Sequence, residues 1–90
     1  MELKTGLIFK NKYDDYLKIT DIEYDDDDGN TYICYHWNND LKLIRKNIFE
    51  GSEDSMDWES FEERINNGDF KLIEDKINWK ARLTPGGGKK

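Results

Sequence analysis

Residues 56–73, MDWESFEERINNGDFKLI, have the clearest beginning, apolar face and end of any stretch in the chain. Asp57 is a residue type that caps helices, because its carboxylate accepts hydrogen bonds from the free N–H groups of the first turn. An apolar stripe at the spacing of one helical face follows it: Trp58, Phe61 and Ile65. Residues 66–68, Asn-Asn-Gly, supply a C-cap, because glycine adopts the left-handed conformation without strain. The sequence therefore predicts a helix over about residues 57–67, followed by a short strand at residues 70–73.

A helix this short is unstable alone in water, so its apolar stripe must pack on the rest of the chain. Ninety residues make one small domain, which we place at residues 1–84, with the Gly/Lys-rich residues 85–90 as a flexible tail. Aromatic residues make up 13% of the chain, and each ring buries a large area. We therefore expect Trp58 and Phe61 to belong to an aromatic core rather than to a ligand site.

Strand patterns precede the helix. Residues 7–9 form a compact apolar run, and residues 16–24 form the longest strand candidate. Within that strand the apolar residues change parity near residues 20–21, which predicts either a β-bulge or a sharp coiling of the strand. Residues 25–30, DDDDGN, contain the Asp-Gly pair of a tight hairpin turn. Residues 31–37, TYICYHW, are rich in β-branched and aromatic residues and complete the hairpin.

The remaining segments predict further strands on either side of the helix. Residues 41–44 are expected to be a strand of the same meander, reaching as far as Phe49, and residues 50–55 a flexible acidic loop. Strict alternation in residues 77–83 predicts a half-buried strand with a basic outer face. The expected class is α+β, mostly β: a small, partly open antiparallel barrel of SH3-like or OB-like type with one short helix. The alternative is an open antiparallel sheet with the helix across one face.

Charge and composition exclude several classes of function. The net charge is −6, and an acidic domain repels bare nucleic acid and anionic membrane surfaces. No apolar run is long enough to span a bilayer, so we expect no membrane partner. The single cysteine, Cys34, permits no internal disulfide and fits a reducing compartment. We therefore expect a cytoplasmic protein.

Two short clusters suggest chemistry but do not complete a site. When the acidic turn is aligned to an EF-hand loop on Gly29, Tyr24 and Tyr35 occupy positions that need calcium ligands. Cys34 and His36 share one face of a predicted strand, but the sequence identifies no orienting group for a catalytic dyad and no second Cys or His for zinc. We expect no metal, no cofactor and no enzymatic activity.

The acidic residues are concentrated in two stretches. Residues 21–28 hold six carboxylates, and residues 50–63 hold seven without a Lys or Arg. Such surfaces are able to occupy a cationic groove in place of phosphates, which is the physical basis of nucleic-acid mimicry. The simpler interpretation is a pair of solvated faces that keep the protein soluble. The candidate partner-binding residues are Asp25, Asp26, Asp27, Asp28, Glu53, Asp54, Glu59, Glu62 and Glu63.

Two alternative functions remain open. A basic and aromatic patch would bind single-stranded nucleic acid or a nucleotide through charge and base stacking. Its candidate residues are Lys42, Arg45, Lys46, Lys80, Arg82, Trp37 and Trp79. Surface charge balance is the simpler account of these residues, because nucleic-acid-binding domains usually carry a net positive charge. The second alternative is a structural component that forms a homo-oligomer through an unpaired strand edge.

The pattern W-x-x-F-x-x-x-I-x-x-G-x-x-x-L-I in residues 58–73 follows a β-meander. In this arrangement the chain resembles small proteins of bacteriophages and mobile elements. The resemblance covers roughly the whole chain and contains no diagnostic catalytic or binding motif. It implies host-takeover proteins, defence inhibitors or small virion components as the class of function. The expected function is thus a non-enzymatic acidic protein that binds a host or partner protein and inhibits a nucleic-acid-handling or defence machine.

Overall fold

The computed structural model describes residues 3–74, which form one five-stranded antiparallel sheet and two short helices. The elements in chain order are β1 (Ile8–Asn11), β2 (Tyr16–Asp25), β3 (Asn30–Asn38), α1 (Leu41–Arg45), β4 (Asp54–Asp57), α2 (Trp58–Asn66) and β5 (Phe70–Glu74). The strand order across the sheet is β4-β3-β2-β1-β5. Because β4 and β5 are the two edges, α2 must cross the sheet to join them. No pairing between these edges closes the sheet within residues 3–74, which confirms a mostly β, α+β fold with a partly open sheet.

Helix α2 begins and ends where its capping residues predict. Asp57 accepts hydrogen bonds from the backbone N–H of Ser60 at 3.1 Å and from the Ser60 hydroxyl at 2.8 Å. Glu59 adds a negative charge in the first turn, where the helix dipole favours it. Asn67 is the C-cap, and Gly68 has the positive φ of +89° that lets the chain turn towards β5.

The main core lies between α2 and the face of the sheet that it crosses, here called the α2 face. Phe61 is fully buried there and its ring contacts Phe9, Phe70 and Tyr35, with ring centroids 5.1–6.0 Å apart. Trp58 also contacts Phe61, and Trp58 and Ile65 pack against the core from the helix side. The predicted apolar stripe of α2 is therefore confirmed as core. The other buried members of this core are Leu7, Leu17, Ile19 and Ile33.

The predicted bulge in β2 is present. The register between β2 and β3 shifts between Ile19 and Asp21, so Thr20 has no paired residue. Ile19 and Ile22 consequently both pack towards the α2 face, although their spacing in the sequence is odd. The same shift pairs Asp21 with Cys34, which places both on the opposite face. The bulge thus keeps apolar residues in the core while turning the following acidic residues outward.

The prediction of a strand at residues 41–44 is wrong, because Leu41–Arg45 is the helix α1. Asp40 caps this helix by accepting from the backbone N–H of Lys42 at 2.9 Å. Ile44 is fully buried, and α1 packs on β2 and β3. A four-residue segment rich in apolar residues fits a strand or one helical turn equally well. The cap at Asp40 and the contact of Ile44 with the sheet therefore select the helix. Helix α1 covers the face opposite to α2, here called the α1 face.

The prediction of a flexible loop at residues 50–55 is also only partly correct, because Asp54–Asp57 pairs with β3 as the edge strand β4. Residues 48–50 lead into it with hydrogen bonds from Asn38 Nδ2 to the Ile48 carbonyl and from the Glu50 N–H to the Trp37 carbonyl. The strand predicted at residues 77–83 and the tail at 85–90 lie outside the described residues. Within residues 3–74, no helix has the length and apolarity needed to cross a membrane.

Candidate functional site

The tip of the β2–β3 hairpin is built from its own carboxylates. Asp25 accepts from the backbone N–H of Asp27 at 2.8 Å, and Asp28 accepts from the backbone N–H of Asn30 at 2.9 Å. The Tyr32 hydroxyl donates to Asp28 at 2.6 Å, and this bond is the main reason that the pKa of Asp28 is lowered. Asp26, Asp27 and Asp28 are all exposed. The tip is therefore a structured turn that presents ionised carboxylates to solvent.

Below the tip, the bulge brings Asp21, Glu23 and Cys34 together on the α1 face. Their ligand atoms all lie within 4.8 Å of one another. A hydrogen bond with Asp21 and then the charge of Asp21 raise the pKa of Glu23, and Glu53 contributes further. Burial, followed by the nearby carboxylates, raises the pKa of the Cys34 thiol. The thiol is therefore protonated near neutral pH, which opposes both metal ligation and nucleophilic attack by Cys34.

Glu53 connects the second acidic stretch to the first. Its Oε2 atom accepts from the Thr20 hydroxyl at 3.2 Å and lies 3.9 Å from His36 Nε2. His36 is held by stacking on Phe49, with ring centroids 4.3 Å apart, and its Nδ1 lies 3.4 Å from the Gly51 carbonyl oxygen. The structure thus places His36 on the same face as Cys34, as alternation predicts, but no contact joins the two side chains in the described part of the chain. These two residues do not form a dyad.

We refer to the carboxylates of the β2–β3 hairpin, together with Glu53 just before β4, as the acidic surface. It consists of Asp21, Glu23, Asp25, Asp26, Asp27, Asp28 and Glu53. Within residues 3–74, no Lys or Arg forms an ion pair with any of these residues. The Lys and Arg ion pairs described here lie elsewhere, and they join Lys10 to Asp14, Lys12 to Asp69 and Arg45 to Glu74. Lys10, Lys12 and Arg45 are therefore paired away from the acidic surface, and His36 approaches it at Glu53 alone among these ion pairs.

The other acidic candidates lie apart from this surface. Asp54 is opposite Tyr35 in the β3–β4 pairing and so belongs to the α2 face. Glu59, Glu62 and Glu63 are exposed on α2. The structure therefore places Asp25–Asp28 at the hairpin tip and Glu53 beside Thr20 and His36 further along the same hairpin. It places the remaining four predicted residues on the other side of the sheet.

The basic and aromatic candidates are not assembled in the described chain. Lys42 and Arg45 are on α1 and Lys46 caps it, so all three lie at the α1 face. Arg45 Nε donates to both carboxylate oxygens of Glu74, at 2.7 and 2.9 Å, which ties α1 to β5. Trp37 packs against the core on the α2 face instead. Trp79, Lys80 and Arg82 lie outside the described residues.

Comparisons with protein-family models, curated proteins and solved structures find no match to this chain. Function must therefore be argued from the site itself. The predicted candidates did not include Asp21 or Glu23. The parity change at residues 20–21 was the available signal, because a bulge there turns Asp21 and Glu23 onto the face of Cys34 and His36.

Proposed function

We propose that the protein is a non-enzymatic interaction protein whose acidic surface binds a cationic surface of a partner protein. The observation that carries this proposal is that seven carboxylates gather on one region with no Lys or Arg partner in residues 3–74. The raised pKa of Glu23 supports it, because a hydrogen bond with Asp21 and then the negative charge of Asp21 are its two largest causes. A cationic partner would relieve this repulsion on binding, and complementary charge would also accelerate its association.

The arrangement of the charges supports a mimic of nucleic acid in particular. Asp21, Glu23 and Asp25 alternate along β2, so their Cα atoms follow one face of the strand about 6.6 Å apart. The exposed tip continues this row with Asp26, Asp27 and Asp28. A row of carboxylates along a hydrogen-bonded hairpin resembles a phosphate backbone electrostatically. The partner class we propose is therefore a protein with a cationic nucleic-acid-binding groove, which this protein would block.

The test is capture of partners from a nuclease-treated bacterial lysate, followed by elution with duplex DNA or with salt. We expect one or a few nucleic-acid-binding proteins to be retained, and both duplex DNA and salt to release them. The variant D26K/D27K should lose this capture, because it reverses charge at the exposed tip. The variant E62K/E63K makes the same change in net charge on exposed residues of α2 and should retain it.

Three results would contradict the proposal. Equal loss in both variants would show that net charge alone governs capture. Retained proteins that duplex DNA fails to release would argue against mimicry. Direct retention of radiolabelled single-stranded oligonucleotide by the protein at low salt would favour the nucleic-acid-binding alternative.

A further inference from the structure

A groove lies on the part of the α2 face that α2 leaves uncovered, near the turn between β1 and β2. Its floor is aromatic and aliphatic, and two carboxylates line its rim. The apolar and aromatic lining residues, here called the floor, are Leu17, Tyr35, Trp37 and Phe70, and the polar ones, here called the rim, are Asn11, Asp15 and Asp54. Leu17 and Phe70 are buried, whereas Tyr35 and Trp37 are half-buried and present part of their rings to the groove. This groove is separate from the acidic surface, which lies at the hairpin and on the α1 face.

The two carboxylates make the groove suited to a cation. Within residues 3–74, neither Asp15 nor Asp54 forms an ion pair with Lys or Arg. Asp54 lies opposite Tyr35 across the β3–β4 pairing, and its charge contributes to the raised pKa of Tyr35, after burial. An apolar floor with an anionic rim complements a side chain that is both flat and positively charged.

The molecule already contains one example of the contact that such a ligand would make. Arg64 on α2 places its guanidinium carbon 5.9 Å from the centre of the Phe70 ring, at the edge of the groove. A guanidinium is planar and weakly hydrated, so it stacks on aromatic rings more readily than an ammonium group does. Within residues 3–74, Arg64 makes this ring contact but forms no ion pair with Asp15 or Asp54.

The size of the groove limits its occupant. Its volume is about 230 Å³, below the roughly 300 Å³ at which pockets for drug-sized ligands begin. It therefore suits one side chain rather than a nucleotide or an organic cofactor. Buried arginine anchors of this kind are common at the centres of protein interfaces.

We propose that this groove receives an arginine side chain of the partner protein, whose guanidinium stacks between Trp37 and Tyr35 and pairs with Asp15 and Asp54. This inference rests on the proposed function, because it assigns the anchoring contact of the same cationic partner. Gly51 helps to hold the receiving ring in place, since its backbone approaches Trp37 too closely to admit a side chain.

The test is an NMR titration of the ¹⁵N-labelled protein with the capped tripeptide acetyl-Gly-Arg-Gly-amide, followed through the indole N–H resonance of Trp37. We expect a saturable shift of this resonance, with the corresponding lysine peptide binding at least about threefold more weakly. The citrulline peptide is a neutral isostere and should produce little shift. D15N/D54N should weaken binding of the arginine peptide at least about fivefold, whereas D26N/D27N removes the same charge from the hairpin tip and should have little effect.

The outcomes separate this inference from the proposed function. No saturable shift at Trp37, equal affinity for the lysine peptide, or equal weakening by the two double variants would overturn the arginine groove. In each of those cases, DNA-sensitive capture of a partner from lysate would still stand as support for the acidic surface. A saturable arginine site at Trp37 without any captured partner would keep the groove and overturn the proposed function. Unchanged amide resonances elsewhere in D15N/D54N would show that the variant is folded.

Discussion

The ring of Phe61 meets the ring of Phe9 edge to face, with centroids 5.3 Å apart and planes inclined at 82°. Both residues are fully buried. Phe61 belongs to the helix that joins the two edges of the sheet, and Phe9 belongs to β1 near one of those edges. This contact therefore holds α2 across the sheet and stabilises the connection on which the strand order depends.

Replacing Phe61 by alanine should lower the free energy of unfolding by about 3–5 kcal/mol, because the change removes a buried ring and leaves a cavity. Urea unfolding followed by circular dichroism measures this loss. Leu72→Ala is the matched control, because Leu72 is 42% exposed on β5. A loss of similar size in both variants would show that Phe61 does not anchor the core.

Replacing Asp57 by alanine should lower the Tm by on the order of 5 °C near neutral pH, because α2 loses its N-cap. The Ser60 hydroxyl, followed by the Ser60 backbone N–H, holds the pKa of Asp57 below its ordinary value. The stabilisation is therefore present above the pKa of the unfolded state, near pH 4, and is lost as the pH falls through the lower pKa of the folded state.

Thermal unfolding of both proteins across pH 2–7 checks this expectation. The Tm difference between the native protein and Asp57→Ala should be constant at the upper end of this pH range, and it should shrink below about pH 4. Asp26→Ala is the control, since Asp26 is exposed at the hairpin tip and caps no helix. A Tm difference that stays the same down to the lowest pH would mean that Asp57 does not act through its charge.

Replacing Asp21 by asparagine should return the pKa of Glu23 towards the ordinary range of a glutamate. A hydrogen bond with the Asp21 carboxyl and the charge of Asp21 are the two largest causes of the raised value. NMR titration of the Glu23 side-chain carboxyl carbon measures the change directly. Asp26→Asn should leave the Glu23 titration as it is, and an identical Glu23 titration in Asp21→Asn would contradict the geometry of this cluster.

Replacing Gly51 by alanine should destabilise the protein by about 1–3 kcal/mol, because the new methyl group overpacks the site. A Cβ at Gly51 would lie 2.8 Å from Trp37 Nε1, so the indole or the chain beside β3 must move. We expect a displaced Trp37 indole resonance together with a lower midpoint in urea. Ser52→Ala is the control, because Ser52 is the next residue and is exposed. A Gly51→Ala protein that keeps the native Trp37 resonance would show that the close approach of Gly51 to Trp37 is unimportant.

The hairpin and α2 could be predicted from the sequence because their signals are local. Asp57 and Gly68 mark the ends of α2 by side-chain and backbone properties that need no distant contact. The bulge was visible because Ile19 and Ile22 must both reach the core. Consequently the acidic tip and the position of the bulge follow from the local pattern of residues 16–30.

The rest of the fold depends on contacts between distant segments. The apolar residues of Leu41–Arg45 fit either a helix or a strand, and the contact of Ile44 with the sheet selects the helix. Asp54–Asp57 has few strand-forming residues, and it becomes a strand because the edge of β3 offers it hydrogen-bonding partners. The groove at Trp37 could not be predicted either, because it combines residues from all five strands and from the turn before β2.

The placement of charge along the sheet has a consequence for how other molecules approach the protein. The ten residues of β2 span about 33 Å, whereas electrostatic screening at physiological ionic strength acts over about 8 Å. Lys10 and Lys12 lie at the opposite end of the sheet from the hairpin tip, so ions in solution screen them from anything that approaches Asp26. An incoming cationic molecule is therefore attracted by the local field of the tip. The net charge of −6 describes the whole chain and so underestimates the strength of this local field. That field raises the local concentration of cationic groups at the hairpin tip, so a cationic molecule meets the hairpin before the rest of the sheet.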